Sequence, residues 1–297
     1  MPLSDLLAAL PVIGLMLGVT YLVGLPAAMR QGFWIRPRFD TLSFDEAAEE
    51  LNRAELTRAA ERFDELAEEL RTRGFVETDR FVSPNFASRC CVAILLAYDS
   101  RTATTAGVQM VFQGDAGDAR LSLRGEYYGL STLYESDGRN DERFADNAFT
   151  DNAFTDNAFT DDRDAAPLIV QTSTSPQLFP PPPNHEFLCV DWIKSIGAVH
   201  DLHLRHCEHA RQARLPERGS RVVSDRRGER DELVRRHARA LAFAVEDGFL
   251  HPETPGLLRL TARGAVRVAT HLMWPLATVT RTRQRIATRR RLTAWRV

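Results

Sequence analysis

The sequence predicts an α+β protein: an N-terminal transmembrane helix, then a mostly antiparallel sheet flanked by helices, then a basic C-terminal helix. Three observations carry this expectation. A long uncharged run opens the chain, apolar strand-like segments follow one another without helical crossovers, and acidic residues vanish from the last forty residues. The composition, 297 residues with 44% hydrophobic and 26% charged, is that of a globular protein and excludes wholesale disorder, collagen and a multi-pass membrane protein. Four cysteines in this length are no disulfide framework.

Residues 1–5 read as a short external N-terminus. From Leu6 to Met29 there are 24 residues without a charge. As a helix they extend ~36 Å, enough to cross a hydrocarbon core of ~30 Å. A cleavable signal peptide fits less well, because the n-region MPLSD carries an acid and no base. Arg30, Arg36 and Arg38 follow the run, which places that side in the cytoplasm. The expectation is an inner-membrane protein, single-pass, N-terminus outside, with the lipid bilayer as its first partner. Gly14 and Gly18 make a GxxxG that would let two copies pack as a homodimer. Residues 30–42 are the juxtamembrane linker.

The main domain is expected over 43–260. Ser43 and Glu46 form a capping box, and an apolar stripe from Phe44 to Leu70 predicts a helix over 43–73, with a break near Asn52 and Gly74 closing it. Strands are expected at Phe75–Val82, Arg89–Tyr98, Gly107–Gln113, Arg120–Tyr128, Leu168–Thr174, Glu186–Ile193 and Leu257–Leu260. Helices are expected at Ile196–Arg214 and Asp225–Asp247. Two segments interrupt the pattern. A loop insertion over 139–166 contains DNAFT three times in tandem, and a Pro-rich connector over 175–184 contains four consecutive prolines. Residues 261–297 read as a basic amphipathic helix kinked at Pro275.

Charge is segregated. Residues 1–164 hold 28 acidic and 16 basic groups, whereas 165–297 hold 12 acidic and 22 basic ones. Ten arginines follow Glu253, the last acidic residue. Such a tail suits either anionic lipid headgroups at the C-terminal helix or the chain's own acidic helix.

Chemistry-bearing motifs are few. On the 196–214 helix, His200, His203 and Cys207 share one face at i, i+3 and i+7, a spacing that three ligands of a zinc-like ion would need, while His206 and His209 point elsewhere. The bland alternative is a polar helix with a buried thiol, and no fourth ligand stands at a recognisable spacing. There is no phosphate-binding loop, nucleophile elbow, HExxH or CxxC. No catalytic, cofactor or metal residue is assigned, and no cofactor is expected. The run DGFLHPETPGLLRLTARGA resembles the wing and the following Leu-Thr-x-x-Gly turn of winged-helix regulators, which would imply nucleic-acid binding.

Leu70–Phe75, Thr172–Pro183 and Leu202–His206 together resemble stretches of membrane-anchored proteins of planctomycete-type bacteria. The resemblance implies the layout of one span, a helix ending in Leu-x-x-x-Gly-Phe, a strand followed by prolines, and a later helix. That group carries no established activity. The functional expectation is therefore a membrane-held, non-enzymatic binding or scaffold module, with a membrane-tethered nucleic-acid-binding regulator and a metal-dependent enzyme using His200, His203 and Cys207 as the alternatives.

Overall fold

The computed structural model describes residues 11–12, 14–16, 18–19, 23–50, 53–87, 90–113, 122–136, 168–214, 220–222, 230–254, 256–272 and 276–295. It is α+β, a large mixed sheet flanked by helices. The helices are α1 (Leu25–Gly32), α2 (Phe44–Glu50), α3 (Arg53–Thr72), α4 (Ile196–Arg214), α5 (Arg230–Glu246), α6 (Ala262–Leu272) and α7 (Leu276–Ala294). The strands are β1 (Trp34–Ile35), β2 (Val76–Ala87), β3 (Cys90–Asp99), β4 (Thr104–Gln113), β5 (Ser122–Ser136), β6 (Leu168–Ser173), β7 (His185–Cys189), β8 (Ser220–Val222), β9 (Leu250–Thr254) and β10 (Leu257–Leu260).

The expected transmembrane helix over 6–29 is not there to be seen. Among the described residues no helix is long and apolar enough to cross a membrane. Residues 6–10, 13, 17 and 20–22 of that run lie outside the described residues. The physical reason lies at its end. α1 packs on α6, Pro26 is buried, and Met29 and Phe33 pack on a core cluster built around Phe249, Leu258 and Leu260. Part of the apolar run is thus spent inside the fold.

The sheet runs β7-β6-β5-β4-β3-β2-β1-β10-β9, with β8 paired to β5. All neighbours are antiparallel except β6 and β7, so the sheet is mixed. β3 explains the layering. Cys91, Ala93, Leu95 and Ala97 enter one core cluster, and Val92, Ile94 and Leu96 enter another on the opposite face. A strand buried on both faces needs a cover on each. α3 supplies one with Leu56, Phe63, Leu66 and Leu70, joined by Val199 and Leu202 of α4. Phe39, with Leu233 and Val234 of α5, packs on the other.

Polar clamps fix these covers. Arg62 of α3 grips both oxygens of Glu126 on β5 at 3.1 Å, and the Tyr128 hydroxyl donates to the same carboxylate. Burial works to raise the Glu126 pKa, but these donors outweigh it and hold it below the usual carboxylate range. On the opposite side Arg230 of α5 donates twice to Asp79 at 2.8 Å and lies over the Phe81 ring. The Ser43–Glu46 capping box forms as read, with Ser43 N–H donating to Glu46 at 2.7 Å. Gly74 ends α3 at φ +93°, a conformation that favours glycine.

The basic C-terminal helix read over 261–297, kinked at Pro275, is described as α6 and α7 on either side of that proline, and the two pack on each other. Residues 273–275, with Pro275, lie outside the described residues, as does the whole DNAFT insertion. The 175–184 connector packs rather than projects: Phe179 is buried and meets the Phe249 ring.

The Leu-Thr-x-x-Gly turn has a local cause. Thr261 Oγ1 accepts from Gly264 N–H at 3.1 Å and caps α6. Gly264 comes so close to the Phe249 carbonyl that a methyl group there would overlap backbone. Gly264→Ala should therefore lower stability by about 1–3 kcal/mol, read from urea unfolding. A wild-type midpoint would contradict this packing.

Candidate functional site

Two regions hold the side chains that could act. The first is the interface of α4 with β4, β5 and β6. His200, His203, His206 and Cys207 are all buried there, and His209 is exposed. Two observations bear on the candidate metal face. His206 does not point elsewhere, and among the described residues no group of three or more His, Cys, Asp or Glu side chains could hold a metal ion.

The imidazoles are engaged by threonine hydroxyls instead. His203 Nε2 lies 3.0 Å from Thr132 Oγ1 and 3.4 Å from Cys207 Sγ, and its Nδ1 lies 3.1 Å from Thr172 Oγ1. Thr172 also meets His206 Nδ1 at 3.0 Å, and Thr132 meets Thr104 Oγ1 at 2.9 Å. Thr172 has one hydroxyl proton for two imidazole nitrogens, so one of the two rings must donate to it. The chain of bonds ties α4 to three adjacent strands. His200 sits apart, edge-on to Phe75, with Nδ1 3.5 Å from an Arg73 nitrogen.

Burial holds these rings neutral. It pushes both His203 and His206 down to about 3, with neighbouring His206 adding at His203 and Arg291 adding at His206. His185 and His237 are likewise pushed by burial to about 4. All four cysteines are free, and burial raises the thiols of Cys90, Cys91, Cys189 and Cys207. Thiols held protonated are poor nucleophiles. The residues of the planctomycete-type motifs, Leu70, Phe75, Thr172, Leu202 and His206, are buried packing residues.

The second region is α7. Its inner row is committed to the domain. Ala277 and Thr288 are buried, Leu292 and Trp295 pack on the large core, and Trp295 stacks on His206 at 5.4 Å and meets His209 at 4.8 Å. Arg285 binds Asp191 at 2.8 and 3.1 Å, Arg291 reaches Glu186 at 3.3 Å, and Arg289 lies over Trp192. The acidic helix is not the tail's partner. Its acids Glu55, Glu65 and Glu68 pair with Arg58, Arg62 and Arg71 on the same helix.

The outer row of α7 is Val279, Arg283, Ile286 and Arg290, at i, i+4, i+7 and i+11. Val279 is 48% exposed and Ile286 47%. Among the described residues Arg281, Arg283 and Arg290 meet no carboxylate. A shallow open depression on this face is lined by Ile286, Arg289, Arg290, Thr293 and Ala294. The sequence showed that the tail was basic, but not which arginines would be neutralised. Elsewhere, Gly14 and Gly18 both border open space.

The buried rings set a pH dependence. Unfolded imidazoles titrate near 6.5, so below that pH the unfolded chain binds protons that the folded rings refuse. Stability is therefore full above about pH 6.5 and declines on acidification, by about 1.4 kcal/mol per pH unit for each such ring. Urea unfolding between pH 7 and 4.5 checks this. His203→Gln should remove one ring's share of the slope, and a flat profile in the wild type would refute it. Comparison with known proteins finds no family, no curated protein and no solved structure that matches this chain.

Proposed function

We propose that this chain is a non-enzymatic binding module that docks on an anionic lipid surface through the outer face of α7. One observation carries the reading: arginines without carboxylate partners alternate with exposed Val279 and Ile286 along one helical row. Headgroup phosphates take the arginines, and the acyl boundary takes the aliphatic side chains. No acidic residue on α6 or α7 opposes this. α6 adds exposed Val266 and Leu272. The cytoplasmic leaflet is the anionic surface such a face would meet.

The geometry supports nucleic-acid binding less well. The β9–β10 hairpin stands where the winged-helix resemblance puts a wing. The helix before it, α5, would have to read bases, yet its exposed residues are Asp231 and Glu246. Its Arg230 is bound to Asp79, and Arg235 and Arg236 are bound to Glu232. The metal-enzyme alternative loses its ligands to the threonines that hold His203 and His206.

Co-sedimentation with vesicles tests the proposal. Each surface arginine contributes about 1 kcal/mol at an anionic membrane. The chain should partition onto phosphatidylserine-containing vesicles, and the double variant Arg283→Gln/Arg290→Gln should lower that partition roughly 30-fold. Binding should also fall as salt rises through 1 M. Equal partition onto pure phosphatidylcholine, or an unaffected variant, would sink the reading.

A further inference from the structure

The arginines near Phe249 do not follow the rule that the others obey. The half-buried Arg62, Arg73, Arg80, Arg230, Arg236 and Arg259 each meet a carboxylate. Arg267 is half-buried as well, yet among the described residues its only hydrogen-bond partner is a backbone carbonyl, that of Leu178, to which Nε donates at 2.6 Å. Its neighbour one turn earlier, Arg263, donates from Nη1 to the Asp247 carbonyl at 2.6 Å. Asp247 gives Arg263 its backbone oxygen and not its carboxylate. Both guanidinium carbons lie over the same Phe249 ring, 4.3 Å and 5.4 Å from its centre.

Two like charges thus share one ring, and the half-buried one of them, Arg267, has no carboxylate partner among the described residues. Desolvating a guanidinium with no counter-charge is costly, and a second one beside it adds repulsion. Burial, followed by the Arg263 charge, lowers the Arg267 pKa, the direction this arrangement dictates. The positions are fixed from outside the pair: the ring supports both planes, and one carbonyl anchors each side chain. Those anchors use Nε of Arg267 and Nη1 of Arg263. Both Nη groups of Arg267, and Nε and Nη2 of Arg263, remain as donors. Planar forks of this kind match the oxygens of a phosphate group.

We propose that Arg263 and Arg267 form a binding site for a phosphate group, carried either by a lipid headgroup or by a small soluble phosphate. The site is separate from the α7 row, so it stands or falls independently of the lipid-docking reading. Calorimetric titration of the full chain with inorganic phosphate, at ionic strength held constant with sodium chloride, tests it. Saturable binding is expected, weakened at least tenfold by Arg263→Gln, whose side chain is exposed and whose loss leaves the core intact. Arg267→Gln should weaken it likewise, and Arg71→Gln, on α3, should bind as the wild type does. A flat titration, or wild-type binding by Arg263→Gln, overturns the site. Vesicles containing phosphatidic acid identify the source. Displacement of the chain from them by inorganic phosphate assigns the site to a headgroup, and unchanged partition alongside saturable phosphate binding assigns it to a soluble ligand.

Discussion

The double-sided burial of β3 is the constraint from which the rest of this architecture follows. Residues 91–97 alternate between two core clusters and leave no face for water. Such a strand cannot sit in a two-layer protein with one solvated sheet face. α3 and α4 must lie on one side and α5 on the other; α3 and α5 are each pinned by an arginine reaching the sheet, Arg62 to Glu126 and Arg230 to Asp79. The apolar covers supply most of the driving force. The ion pairs fix where each helix sits, since a wrong placement would strand a half-buried charge.

The same logic governs the interior polar groups. Thr104, Thr132 and Thr172 stand on adjacent strands, where aliphatic residues would pack as well in volume. The Thr132 and Thr172 hydroxyls meet His203 and His206, and Thr104 joins through Thr132. A one-residue slip of β6 against β5 would move Thr172 to the opposite face and take a hydrogen-bond partner from both imidazoles. The network therefore specifies register more than it adds stability, because each such bond is worth only about 1 kcal/mol net.

Much of this was legible in the residues, and the failures have physical causes. The capping box at Ser43 and Glu46, the glycine after α3, and the cores of β2 to β7 are local signals, and local signals survive folding. β1, β8 and β9 were not read. β1 has two residues and β8 three, too short for any periodicity, and β9 contains Pro252, which argues against a strand until an edge position is known. The apolar run at the start read as a bilayer span because hydropathy does not say which apolar side chains another helix will take up; α6 takes up α1, the end of the run, whereas Val12, Leu15, Met16, Val19 and Val23 are exposed. The histidine helix read as a ligand face because spacing places residues on a side but does not name what lies opposite. Threonines from three strands lie there. The clustering of charge was plain, and its pairing was not.

That pairing decides what the charge asymmetry means. On α3 the acids pair close to home, with arginines of the same helix and with Arg80. Among the described residues of the C-terminal part, α5 arginines pair with Asp79 and Glu232, Arg259 with Glu253, and the α7 arginines Arg285 and Arg291 with Asp191 and Glu186. Across the two halves, Arg230 reaches Asp79, while the arginines of the outer row of α7 meet no carboxylate among the described residues. β1 pairs with β10, and α1 packs on α6, so the two ends of the domain meet through apolar contacts. The lipid-docking proposal draws on what this arrangement leaves over, the outer-row arginines of α7 that meet no carboxylate among the described residues. Free guanidinium groups beside exposed Val279 and Ile286 would be a poor bargain for solubility alone, because arginine without the aliphatic neighbours serves that end better. On the lipid-docking proposal, their conjunction suits a headgroup boundary, where phosphates and acyl chains lie side by side.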